Sequence, residues 1–111
     1  MLYAIIGLFA IAAIIGILIL KNWLTSAETG RETVYAHGIF AALELVLLIV
    51  AALQAGNNKL MTSVILFVIA AIGGFYMFIR DLKGKFSPTA VAIIHALLAV
   101  AGFLFLVFYV I

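Results

Sequence analysis

Four apolar stretches, at roughly 2–20, 34–53, 60–79 and 89–111, take up most of the chain, and polar residues gather in the three short gaps between them. Within the stretches apolar residues follow one another continuously, without the strict alternation of a half-buried strand. Each stretch is close to the ~20 residues that an α-helix needs to cross a bilayer. In lipid every backbone N–H and C=O must be satisfied internally, by a helix or by a closed barrel, and continuous apolar runs select the helix. The pattern predicts an all-α integral membrane protein. Its four spans run up and down as a four-helix bundle, in a single transmembrane domain over residues 1–111 with no soluble appendage.

The gaps carry signals for helix starts. Thr29-Gly30-Arg31-Glu32 fits a capping box ahead of the second helix. Ser87-Pro88 fits an N-cap followed by proline at the first helical position of the fourth. Ser26, Thr62, Ser63 and Ser87 all fall near span ends, where they are expected to cap helices or lie in the interface. The first stretch has no basic residue before its apolar run, and the run is long for a secretory signal; it reads as a mature helix rather than a leader cut near Thr25-Ser26-Ala27.

Read against itself at an offset of 58, the chain matches without gaps. Ile11-Ala12-Ala13-Ile14 and Gly16 fall on Ile69-Ala70-Ala71-Ile72 and Gly74. His37 falls on His95, its sole other copy, and Thr29 falls on Ser87. Scattered Leu and Ala matches carry little weight in so apolar a sequence, but a rare residue in register with a near-identical segment carries more. The expectation is a tandem duplication of a two-helix hairpin. A unit with two spans preserves direction, so its copies would be related by a pseudo-twofold axis along the membrane normal. The second and fourth helices would then run parallel and lie diagonally across the bundle.

Composition sharpens this picture. Hydrophobic residues make up 69% of the chain and charged residues 9%, too little polar surface to cover a soluble core of this size. The absence of cysteine excludes disulfides, thiolate metal sites, covalently attached haem and iron–sulfur clusters. A net charge of +2 gives no basis for nucleic-acid binding. Lys21 and Arg31 lie in the first gap and Arg80, Lys83 and Lys85 in the third, against Lys59 alone in the second. By the positive-inside bias the first and third gaps face the cytoplasm and both termini face outward, as expected for a protein of the bacterial inner membrane. Trp23 and Tyr35 would be interfacial anchors.

Histidine inside a membrane is expensive and marks a candidate functional site. His37 and His95 each lie eight residues after their caps, about 12 Å into their helices, at the same expected depth. Each could serve only to tie helices together, donating to a carbonyl or hydroxyl on a neighbour. Facing one another across the bundle, they could instead ligate a haem iron from both sides. Gly16 and Gly74, repeat mates on the first and third helices, lie near the depth of the histidines, and Gly73 adds room beside Gly74. Alone, such glycines more often mark close helix packing.

With His37 and His95 on helices 2 and 4, and Gly16 and Gly74 on helices 1 and 3, the chain resembles the four-helix haem bundle of membrane b-type cytochromes. The resemblance implies one haem b, axial ligation by His37 and His95, glycines that make room for the porphyrin, and electron transfer in the membrane. It rests on four positions spread over four helices. Bundles of that family commonly hold two haems, with a second histidine further along each helix. Here Val50-Ala51 and Phe108-Tyr109 stand there, which leaves a single haem on the cytoplasmic side. Arg31, Arg80, Lys83 or Lys85 could pair with its propionates, or could simply follow the charge bias. A quinone or a redox partner protein would complete the electron path, and an oligomer is compatible with all of this.

Glu44 supplies a rival reading. It lies near the middle of helix 2, seven residues beyond His37 and on the same face, and its repeat mate is Gly102. A neutral carboxyl hydrogen-bonded within the bundle is one reading; a proton carrier in a small proton-coupled transporter is the other. Similarity to the four-helix multidrug exporters is limited, because their membrane glutamate lies in the first helix. A copper or zinc site would need Glu44 or Met77 beside the histidines, and Glu44 lies about 10 Å beyond His37. A third class is a structural or assembly subunit, with Phe103, Phe105, Phe108 and Tyr109 facing a partner or lipid. No nucleophile–base pair, phosphate loop or metalloprotease pattern is present, so an electron carrier or binding protein is favoured over a hydrolase or transferase.

Overall fold

The computed structural model describes residues 1–25, 30–84 and 89–111. Among them are four helices and no strand: α1 (Leu2–Leu24), α2 (Arg31–Ala55), α3 (Asn58–Leu82) and α4 (Thr89–Val110). Each has 22 to 25 residues and is long and apolar enough to cross a membrane. The first three helices outrun their apolar stretches by up to about a turn. Lys21, Asn22, Trp23, Arg31, Glu32, Arg80 and Asp81 are all helical. Continuing the helix keeps backbone groups paired where the chain leaves the apolar layer, while long polar side chains reach outward.

The chain divides into two compact units, Met1–Ala55 and Gly56–Ile111. In the first α1 packs on α2; in the second α3 packs on α4. The link between units is short. Gly56 takes a left-handed conformation (φ 61°), which a side chain would strain. Asn57 then caps α3, its side-chain oxygen accepting from the N–H groups of Lys59 (2.8 Å) and Leu60 (3.4 Å). Gly84 (φ 71°) likewise follows the last turn of α3. Thr29, Ser87 and Pro88, expected to cap α2 and α4, lie outside the described residues, as do Ser26, Ala27, Glu28 and Lys85.

The buried positions follow helical spacing within each pair. In the first unit they are Ile5 and Ala12 on α1, and Glu44, Leu48, Ala51 and Ala52 on α2. In the second they are Leu60, Ser63, Phe67 and Ala70 on α3, and Ala92, Gly102 and Leu106 on α4. Four of these match at a separation of 58: Ile5 with Ser63, Ala12 with Ala70, Glu44 with Gly102, Leu48 with Leu106. Small residues at these seams let the backbones approach closely, the main way helices associate where lipid is as apolar as leucine. Ile, Leu, Val and Phe side chains are exposed along all four helices.

Candidate functional site

His37 is the seventh residue of α2 and His95 the seventh of α4. Both are half-buried against the helix preceding their own. His37 Nδ1 lies 2.8 Å from the carbonyl oxygen of Ala12, and His95 Nδ1 lies 2.6 Å from that of Ala70. A carbonyl oxygen only accepts, so Nδ1–H is the donor in both. In a neutral ring this places the lone pair on Nε2.

The glycines explain how an imidazole reaches a carbonyl already inside a helix. A helical side chain covers the turn N-terminal to its own Cα. The residue that would shade Ala12 is Gly16, and the one that would shade Ala70 is Gly74. Without a Cβ they bare these carbonyls and leave room for the ring. A Cβ at Gly16 would lie 2.9 Å from His37 Cε1 and 3.3 Å from Nδ1. At Gly74 the same atom would lie 3.1 Å from His95 Cε1 and 3.6 Å from Nδ1. Gly73 adds ordinary contact, 3.8 Å from His95 Cβ. The structure therefore brings each histidine together with the glycine of its own helix pair, and the room made at both glycines is taken by imidazole.

Glu44 is the other predicted site residue. It is 2% exposed, and its Oε1 has no hydrogen-bond partner. At the matching level of the second unit stands Gly102, whose carbonyl oxygen accepts from Ser63 Oγ at 2.6 Å. Ser63, expected near the interface, is fully buried between α3 and α4. Its place within the first turn of the apolar stretch carried no signal of this burial. Ala12 and Ala70 also escaped the sequence reading, because they act through main-chain oxygens; the glycine four residues on was their one trace.

The basic residues lie at helix ends. The guanidinium carbon of Arg80 sits 5.7 Å from the centroid of the Tyr76 ring, a cation–π arrangement. Arg31 and Lys83 are exposed. Among the described residues no three His, Asp or Glu side chains converge as a metal-binding group, whereas a haem iron needs only two imidazoles. Comparison with protein-family models, with curated proteins and with solved structures finds no match.

Proposed function

We propose that this chain is a small membrane cytochrome-like protein that binds one b-type haem through His37 and His95 and carries electrons within the membrane. The observation that carries this reading is the recurring Nδ1–H donation to a main-chain carbonyl, made by both histidines. Histidines that ligate metals characteristically donate their other ring N–H in this way, which fixes the tautomer, orients the ring and raises the basicity of the ligating nitrogen. Each histidine thus has the ring bonding that suits a haem-iron ligand. His37 and His95 would hold the iron through Nε2, the Ala12 and Ala70 carbonyls would fix both rings, and Gly16 and Gly74 would serve by seating the imidazoles. When bound, haem supplies a one-electron couple tuned by its two ligands and their hydrogen bonds.

On this reading the two helix pairs are copies of one hairpin, and the four spans run up and down within one transmembrane domain. The matched buried positions and the matched histidine contacts support that duplication. The distribution of Lys and Arg favours the bacterial inner membrane with both termini on the periplasmic side. A quinone or a redox protein would exchange the electron.

The test is haemin titration into haem-free protein in detergent. One haem per chain is expected for the wild type, and His37→Ala and His95→Ala should each abolish stable binding. Binding at the wild-type level by both variants refutes the ligand assignment. A second reading has its own observation: because imidazole fills the space at Gly16 and Gly74, the histidines also suffice as clips within each helix pair. A structural or assembly protein of that kind would bind no haem and would keep its partner after either substitution.

A further inference from the structure

Among the described acidic residues, Glu32 lies in the first turn of α2 and Asp81 next to the end of α3, while Glu44 stands deep inside a helix. Its surroundings differ from the matching level of the second unit in a specific way. There Ser63 Oγ bonds the Gly102 carbonyl, and the Phe67 ring fills the place of the missing side chain, 3.1 Å from where a Cβ would be. The position matching Ser63 in the first unit is Ile5, fully buried and with no polar side-chain atom. One unit therefore pairs a hydroxyl with a carbonyl, whereas the other sets a carboxyl in a layer whose hydroxyl has been replaced by hydrocarbon.

The helix packed on α2 offers no charged neighbour along this stretch. On α1 the titratable groups are Tyr3, which is 80% exposed, and Lys21 in the last turn. On α2 itself Arg31, Glu32 and Tyr35 lie toward its start, and His37 is two turns away with Nδ1–H committed to Ala12. A buried polar atom left without a partner costs about 1–3 kcal/mol, so a carboxyl retained only for packing would be expected to have found one. Ionisable groups kept inside membrane helices at such cost mark proton and ion pathways.

We propose that Glu44 is a proton-binding site: a carboxyl inside the first helix pair, its buried Oε1 without a hydrogen-bond partner, that exchanges its proton with bulk water. The site does not depend on haem and stands or falls separately from the cytochrome reading.

Infrared spectroscopy of the purified full chain in H2O and D2O tests it. The wild type should show a protonated-carboxyl C=O stretch that is lost in Glu44→Gln and shifts to lower frequency in D2O. A Glu44-dependent band that does not shift reveals a locked structural acid and overturns the proposal. No Glu44-dependent band reveals a permanent carboxylate and overturns it as well. If Glu44→Gln does not fold, the wild type still decides. A protonated carboxyl adds its O–H across the C=N bond of an apolar carbodiimide and rearranges to an N-acylurea, so the Glu44 peptide should gain the mass of the whole reagent. An unmodified Glu44 peptide overturns the proposal. Both readouts are made without haem, so their failure leaves the haem titration untouched.

Discussion

His37 Nδ1 donates to the carbonyl oxygen of Ala12 at 2.8 Å, across the seam between α1 and α2, and its Cε1 lies 2.9 Å from where a Cβ of Gly16 would be. Interhelix hydrogen bonds in membranes average about 0.6 kcal/mol and reach about 1.7 kcal/mol. His37→Ala should therefore destabilise the haem-free protein by that order, and His95→Ala by a similar amount. Denaturant titration of each variant in mixed micelles checks this, and stability unchanged in both would mean the two bonds are not formed.

Substitution at the glycines should act through the histidines. A methyl at Gly16 would stand 2.9 Å from His37 Cε1, so the ring must move off the Ala12 carbonyl. Gly16→Ala is expected to lose about 1 kcal/mol and to weaken haem binding. Gly74→Ala, with its nearest atom at 3.1 Å, should follow in direction with a smaller effect. Gly7 and Gly38 have nothing within 4 Å and serve as controls: alanine there should be neutral, or better by up to about 1 kcal/mol through helix propensity. The comparison is read by thermal unfolding and by haem occupancy.

Glu44→Leu should raise the stability of the haem-free protein, by about 1–3 kcal/mol, because it replaces a buried carboxyl with an unpartnered oxygen by hydrocarbon of similar volume. Thermal unfolding in detergent gives the sign directly. A loss of stability would show that the carboxyl holds a partner that leucine cannot replace.

Ser63→Ala should weaken the α3–α4 pair by about 0.6–1.7 kcal/mol, through loss of the bond to the Gly102 carbonyl. Gly102→Ala should act on the same seam by pushing on the Phe67 ring. The two effects should be less than additive, since the residues share one contact. A double-mutant cycle measures that coupling.

The four helices were legible because a bilayer leaves few options: continuous apolar runs of about 20 residues must be helical. Their ends were less so, since Lys21 and Arg80 sit where helix continues after hydrophobicity has stopped. The pairing of His37 with Gly16 and of His95 with Gly74 was half visible. The sequence put ring and glycine near the same depth, and the glycines read as room for a porphyrin or as close helix packing, not as a seat for the imidazole. The reason is that the decisive partner, the carbonyl of Ala12 or Ala70, is a main-chain atom common to every residue. Ser63 does lie near the start of its span, but distance from a span end is a poor guide to burial, because α3 begins with Asn58 and turns Ser63 onto Gly102 rather than to a cap.

The central claim is that His37 and His95 ligate one haem. The most direct test is the absorption spectrum of the detergent-purified protein, expressed with ample haem and recorded oxidised and then dithionite-reduced. Ligation by both histidines predicts a Soret band that sharpens and shifts on reduction, with split visible bands typical of a six-coordinate b-type haem. A colourless protein would contradict it.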